Sequence, residues 1–241
     1  MADVAEIAPD VYRISFLNAP NNLTFSSFLV KDDAPLLYHT NLRRMFPEVR
    51  EAVATVLDPA TIRYVGFSHF EPDECGALNE WLAAAPQAQP VCSFVGARVC
   101  LSDYCDTPAL VPGPDERVET GKYRFRLIPT AHVPHGWDAS LLFEETQRTL
   151  FISDLLGHGG PVAPLTESDI VGPAGDYTRR SMQGPMAHAM PYTPRTRPIL
   201  EGLAALQPKT LAVMHGASFR GDGGAAIRDF ATVLDETIAR A

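Results

Sequence analysis

Apolar and polar positions alternate through the first forty residues, in VYRISFL (11–17), TFSSFLV (24–30) and PLLYHT (35–40), broken by the turn-rich NAPNN and KDDAP. Period-two alternation between turn clusters predicts an antiparallel meander of short strands. From Phe46 the spacing changes: Phe46, Val49, Val53 and Val56 recur at three- and four-residue intervals until Asp58-Pro59, which predicts a helix over 46–57. The apolar TIRYVGFS (61–68) predicts a buried strand, the polar HFEPDECG follows it, and ALNEWLAAA predicts a helix stopped by Pro86.

The alternation continues with a strand at VCSF (91–94), a short helical segment over 96–103 and a proline-rich surface loop at 107–116. Three strands follow, YRFRLIP (123–129), ASLLFE (139–144) and TLFISD (149–154), the last two joined by ETQR as a hairpin. Residues 159–195 are rich in Gly, Pro and Met and predict a long loop with a helix near 175–189. A helix over 195–206, the strand TLAVM (210–214), the loop HGASFRGDGG and a terminal helix, AAIRDFATVLDETIAR (225–240), complete the chain. Two β-rich halves, each finished by helices, predict an α/β (α+β) chain folded as a four-layer αββα sandwich of two mixed sheets. A doubly wound parallel sheet competes, but the antiparallel start and the lack of any GxGxxG or GxxxxGK[ST] loop weaken it. No repeat, charge block or linker divides the sequence, so residues 1–241 are expected to form one domain.

Composition narrows the function classes. Twenty Lys and Arg against 29 Asp and Glu give a net charge of −9, which argues against a nucleic-acid partner. No apolar run approaches membrane-spanning length, and the acidic MADVAEIAPD lacks the basic start of a signal peptide, so a cytoplasmic protein with no membrane partner is expected. Cys75, Cys92, Cys100 and Cys105 form no CxxC pair and read as reduced, structural thiols.

Chemistry concentrates at predicted strand ends. His69, Glu71 and Asp73 occupy alternate positions directly after the buried strand, so an extended segment turns all three to one side, and Glu74 adds a fourth ligand-type group. His135 precedes a strand in PHGWDAS, Asp154 closes TLFISD, and His215 closes TLAVM. Strand ends are where layered folds assemble sites, because rigid strands fix positions and loops supply access.

These segments, SHFEPDECGAL, HGWDASLLF, LFISDLLGH and VMHGASFR, resemble the ligand loops of the metallo-β-lactamase fold, and within it those of flavodiiron proteins and standalone oxygen-binding diiron proteins. The resemblance runs over nearly the whole chain. It implies that His69, Glu71 and His135 hold one iron, Asp73 and His215 the other, and Asp154 bridges them. Hydrolytic dizinc members use HxHxDH, whereas a Glu stands at the second histidine here, and three imidazoles with three or four carboxylates favour a harder metal such as iron or manganese. Glu74 stands where many flavodiiron proteins have histidine, and three roles are open to it: ligating the second iron, hydrogen-bonding a bound water, or turning away.

The resemblance further implies O2 or NO as the bound molecule and a homodimer. Only 26 residues follow His215, so no flavodoxin domain and no FMN are expected in this chain. The function so implied is an oxygen sensor or binder with a signalling partner, or an O2/NO reductase served by an external flavoprotein or rubredoxin-like donor. The alternative is a dinuclear hydrolase with Zn2+ or Mn2+, in which Asp73 positions a hydroxide that attacks an ester, thioester or phosphoester. Tyr177 falls where flavodiiron proteins place a tyrosine that reaches bound O2 or NO. His158, four residues past Asp154, is a candidate to orient a carboxylate or O2. His132 is the lesser rival of His135, His39 reads as structural or as a support for the site, and His188 as a half-buried histidine of a Met-rich helix. Trp137, Phe70 and Phe219 read as packing around the site, Cys75 as a small buried thiol, and Arg220 and Asp222 as organisers of the loop after His215.

Overall fold

A computed structural model describes residues 2–239. The first sheet has six strands in sequence order: β1 (Asp3–Ala8), β2 (Val11–Asn18), β3 (Leu23–Val30), β4 (Leu36–Tyr38), β5 (Tyr64–Gly66) and β6 (Gln89–Val91). β1 to β4 form the expected antiparallel meander, and β4, β5 and β6 run parallel. The parallel step requires crossovers, which α1 (Phe46–Ala54) and then α2 (Pro72–Cys75) with α3 (Leu78–Ala84) supply.

The second sheet holds β7 (Val118–Glu119), β8 (Arg124–Pro129), β9 (Ser140–Glu144), β10 (Thr149–Ser153), β11 (Leu165–Thr166), β12 (Thr210–Val213) and β13 (Ser218–Arg220), in the spatial order 11-13-12-10-9-8-7. Between β11 and β12 run α4 (Val171–Ser181) and α5 (Thr196–Ala205), and α6 (Gly223–Thr237) closes the fold.

Three apolar clusters correspond to the three interfaces of a four-layer sandwich. Leu29 and Leu37 of the first sheet meet Val49, Val53, Leu78 and Trp81 of α1 and α3. Leu150, Ile152, Leu211 and Val213 of the second sheet meet Leu200 and Leu203 of α5 and Phe230 and Leu234 of α6. Between the sheets, Phe28, Val30 and Tyr38 pack against Phe125, Leu142, Phe151 and Ala212. Neighbouring residues along a strand therefore serve opposite interfaces: Leu29 faces helices while Phe28 and Val30 face the other sheet, and Phe151 faces inward between Leu150 and Ile152. A one-residue slip would exchange these faces, and each large apolar side chain is worth about 1.5–3 kcal/mol buried, so register is tightly set.

Several predicted bounds shift. The strand expected over 61–68 pairs only from Tyr64 to Gly66, because beyond it the chain leaves the sheet and Ser68 offers its carbonyl to the Ser140 amide of the second sheet at 2.8 Å. The helix expected near 175–189 begins earlier, where Asp169 Oδ1 accepts from the Val171 and Gly172 amides, and ends at Ser181, short of Gly184-Pro185. β1, β7, β11 and β13 were not expected. All but β1 are two or three residues long, too short to show a period, and β13 falls in a glycine-bearing loop. α6 starts at Gly223, capped by the Asp222 carboxylate on the Ala225 amide, and Arg240 of the expected helix lies outside the described residues. Among the described residues, no helix is long and apolar enough to cross a membrane.

Candidate metal centre

Each of the expected ligands sits at the end of a strand or in the loop beside it, and all lie at one edge of the sandwich. His69 follows β5 by three residues, Glu71 is extended at the start of α2, and Asp73 and Glu74 form the first turn of that helix. His135 lies in the loop before β9, Asp154 follows β10, and His215 lies two residues past β12. The first sheet thus supplies His69, Glu71, Asp73 and Glu74, and the second supplies His135, Asp154 and His215.

The side chains converge on Asp154. Its Oδ2 lies 2.9 Å from His135 Nε2 and 3.6 Å from His69 Nε2, while its Oδ1 lies 3.3 Å from His215 Nε2. Glu71 Oε2 completes the first group, 3.0 Å from His69 Nε2 and 3.3 Å from His135 Nε2. Asp73 Oδ2 completes the second, 3.2 Å from His215 Nε2. One carboxylate therefore turns an oxygen to each of two clusters. Ligand-type atoms of His69, Glu71, His135 and Asp154 lie within 4.8 Å of one another, and so do those of Glu71, Asp73 and Glu74.

Outward-facing hydrogen bonds fix which nitrogen each ring presents. His215 Nδ1 donates to the Thr24 carbonyl at 2.8 Å, and His69 Nδ1 lies 3.0 Å from Ser68 Oγ, leaving both Nε2 atoms for the cluster. Such anchoring of the remote ring nitrogen is the usual support of a metal-binding histidine. Two buried carboxylate oxygens, Asp154 Oδ1 and Glu74 Oε2, lack any hydrogen bond, a costly arrangement that a cation between them and the imidazoles relieves. On both counts the residues fit a dinuclear metal group.

The electrostatics follow from crowding acids and imidazoles in low dielectric. Burial pushes the Glu74 carboxyl well above the usual range, and the Asp154 and Asp73 carboxylates push it further. Asp154 and Asp73 go the other way: burial raises both, but His135 and His215 outweigh it for Asp154, and His215 does so for Asp73. Burial depresses His215, yet the Asp154 and Asp73 carboxylates beside it take it up to about 10. His135 is raised in the same way, against burial, chiefly by Asp154.

Beneath the ligands lies a buried hydroxyl network. Ser68 Oγ stands 2.8 Å from Ser153 Oγ and 3.2 Å from His39 Nε2, and Ser153 Oγ donates to Glu74 Oε1 at 3.2 Å. Ser153 and His39 both hold left-handed backbone (φ 55° and 64°), a conformation costing of order 1–3 kcal/mol that is kept where the surroundings over-determine it. His39 is wholly buried, and that burial takes it down to about 3.

His158 does not reach the cluster. Its Nδ1 donates to the Leu156 carbonyl at 3.0 Å and its Nε2 accepts from the Ala217 amide at 3.1 Å, so it braces the loop that carries His215. Tyr177 of α4 lines a cavity of about 520 Å³ that opens over Asp73, His135, Asp154 and His215. His132 joins neither cluster. His188 is exposed in an irregular stretch after α4, not half-buried in a helix, because α4 has already ended. Trp137 (59% exposed) and Phe70 (38%) are surface residues, not packing around the site, since their loops turn outward once His69 and His135 point inward. Phe219 packs partly on the second helical layer. Cys75 is buried and its thiol contacts the Glu71 carbonyl, while Arg220 reaches the Ile7 carbonyl.

Two supports carried no expectation. Asp138 Oδ2 accepts from the Phe70 amide at 2.8 Å and so holds the His69 loop. Arg13, fully buried between the sheets, donates to the Gly216 carbonyl at 2.7 Å. A polar run was visible there, since Arg13 and Ser15 interrupt the inward face of β2 begun by Val11.

Two mixed sheets flanked by helices, with a His/carboxylate cluster at one edge, define a protein of the metallo-β-lactamase fold. A model of the "ODP family beta lactamase" matches residues 23–216, and the chain belongs to that family. It is 26% identical over 207 residues to the rubredoxin-oxygen oxidoreductase of Megalodesulfovibrio gigas, covering 84% of this chain and 51% of that one. It is 28% identical over 139 residues to the flavo-diiron protein FprA2 of Clostridium acetobutylicum, covering 56% and 34%. The chain thus spans about half or less of these relatives. Among solved structures, the rubredoxin oxygen:oxidoreductase of Desulfovibrio gigas superposes with a TM-score of 0.82 at 22% identity, over 95% of this chain and 61% of that one. A fragment of a putative diflavin flavoprotein from a Nostoc species superposes at 0.79 and 19% identity, over 99% and 97%.

Proposed function

We propose that this protein is a non-haem diiron protein that binds O2, or NO, at a site in which His69, Glu71 and His135 hold one iron, Asp73 and His215 the other, and Asp154 bridges them. The observation that carries this reading is the placement of the two Asp154 oxygens toward two separate imidazole groups. Family membership and the names of the relatives support it. When bound, the iron pair supplies electrons and open coordination positions for a diatomic ligand.

The protein's own groups set the conditions for that chemistry. His69 and His215, oriented through Nδ1, would hold the metals in fixed positions, and the four carboxylates Glu71, Asp73, Glu74 and Asp154 would offset the charge of two divalent ions and favour the oxidised pair. Tyr177, on the cavity wall, would donate a hydroxyl hydrogen to a bound diatomic. His158 acts at one remove, keeping the His215 loop in place. The output is sensing through a signalling partner, or reduction with electrons from an external flavoprotein or rubredoxin-like donor.

The size of the cavity favours a second reading. At about 520 Å³ it falls among organic-ligand pockets and far exceeds the roughly 30 Å³ share of one water, so a dinuclear zinc or manganese hydrolase of an ester, thioester or phosphoester also suits it. Anaerobic iron loading followed by O2 separates the two. The diiron reading expects two irons per chain and a visible-absorption change on exposure to O2. An unchanged spectrum with both irons bound, together with ester turnover by the zinc-loaded protein, would replace it with the hydrolase.

A further inference from the structure

The two halves of the site are chemically unequal. The half around His135 offers two imidazoles and one carboxylate of its own, His69, His135 and Glu71. The half around His215 offers one imidazole, 3.2 Å from Asp73, and the Glu74 carboxylate adjoins Asp73, within 4.8 Å of it and of Glu71.

Glu74 is not a solvated acid that merely lies nearby. The residue is wholly buried. Ser153 Oγ donates to its Oε1 at 3.2 Å and Ser68 Oγ does so at 3.5 Å, while its Oε2 has no hydrogen-bond partner, and the carboxylate stands within 4.8 Å of ligand-type oxygens of Asp73 and Glu71. Its backbone is held too, since its carbonyl accepts from the Thr40 amide at 2.7 Å. A buried, anchored carboxylate with one orphaned oxygen is stabilised by a cation, and Asp73, next to it in the chain and 3.2 Å from His215, puts that cation in the His215 half.

We propose that the two halves differ in how strongly they prefer iron, so that under manganese excess iron stays in the His69–His135–Glu71 half and manganese enters the His215–Asp73–Glu74 half, with Asp154 shared, giving a mixed-metal centre. This rests on the dinuclear reading above. Imidazole-rich sites suit iron and zinc, whereas carboxylate-rich sites suit manganese and magnesium. Iron(II) outranks manganese(II) at any such site, so what the exchange of an imidazole for a carboxylate changes is the size of the preference. It narrows in the Glu74 half alone, and manganese supplied in excess enters there first.

The test uses the full chain, stripped of metal, refilled without oxygen from mixtures of Fe2+ and Mn2+ in graded ratios, and freed of unbound ions. Elemental analysis is expected to give a plateau of one manganese and one iron per chain across a broad range of manganese excess. Anomalous diffraction at the two absorption edges is expected to place manganese beside Glu74. Glu74→His is expected to lower the manganese content at a fixed ratio by about tenfold, the order by which changes of metal-site partners alter affinity. Glu74→Gln, which keeps the shape and loses the charge, is expected to do the same with an unchanged far-ultraviolet circular dichroism spectrum. Manganese replacing iron in both halves in parallel, or equal manganese in wild type and Glu74→His, would overturn the proposal. Two irons per chain at every ratio overturns the selection and leaves the dinuclear site standing, whereas a chain that binds no metal overturns both.

Discussion

Arg13 and Gly216 stand 203 positions apart in the chain and are joined by a 2.7 Å hydrogen bond from guanidinium to carbonyl. The contact crosses from the first sheet to the residue directly after His215. Arg13 also donates to Ser15 Oγ at 2.8 Å, and burial pulls it down to about 10, opposed only weakly by Asp3. Arg13→Met keeps the volume and leaves the Gly216 carbonyl unpaired, so it is expected to lower unfolding free energy by about 2 kcal/mol. Denaturant titration measures this, and a loss below about 0.5 kcal/mol, the ordinary scatter of surface changes, would show the bond to be incidental.

The backbone of Gly216 yields a second expectation. It has φ +124°, and a Cβ there would stand 2.5 Å from the His158 ring, so Gly216→Ala must displace either the histidine or the loop. The variant is expected to lose at least about 2 kcal/mol of stability, or to retain stability and bind metal more weakly. Gly202 is the control: it is exposed on α5, an added methyl would have no atom within 4 Å, and its change to Ala is expected to raise stability by about 0.5–1 kcal/mol. Thermal melts of the two proteins side by side decide the point, and equal effects would contradict it.

Acid stability should report His39. Its folded value, about 3, lies below its ordinary 6.5, so between those limits the unfolded chain binds a proton that the folded chain refuses. Stability from this group is therefore full above pH 6.5 and falls as pH drops toward 3, at up to about 1.4 kcal/mol per pH unit. Unfolding free energies of wild type and His39→Asn, measured from about pH 7 to about pH 4, are expected to converge as pH falls; parallel curves would remove His39 from the account.

Metal uptake should compete with protons. His215, held up to about 10 by Asp154 and Asp73 against the effect of burial, carries a proton at neutral pH that a metal must displace. Affinity for Mn2+ or Fe2+ is expected to rise from about pH 6 to about pH 8, with proton release on binding. Calorimetry in buffers of different ionisation enthalpy measures that release, and heats independent of buffer would be the contrary result.

Much of the architecture was legible because period and burial agree. β2, β3, β9, β10 and β12 each fall within a residue or two of their expected bounds, since alternate residues serve different apolar layers. The strand-end cluster of His, Asp and Glu was legible for a related reason: a polar residue directly after a buried apolar run breaks the pattern visibly. What escaped depends on distance along the chain. Arg13 gains its role from a residue 203 positions away, the Ser68–Ser153 pair spans 85, and Trp137 and Phe70 read as packing because apolar character carries no direction.

The sheets also divide the chain cleanly, one built from residues before the proline-rich loop 107–116 and the other from residues after it. His69, Glu71, Asp73 and Glu74 thus belong to one fragment, and His135, Asp154 and His215 to the other. An ion shared between them would be a rivet as well as a reactive centre. Severed in that loop, the protein becomes a two-piece assembly whose affinity for itself would track the supply of metal.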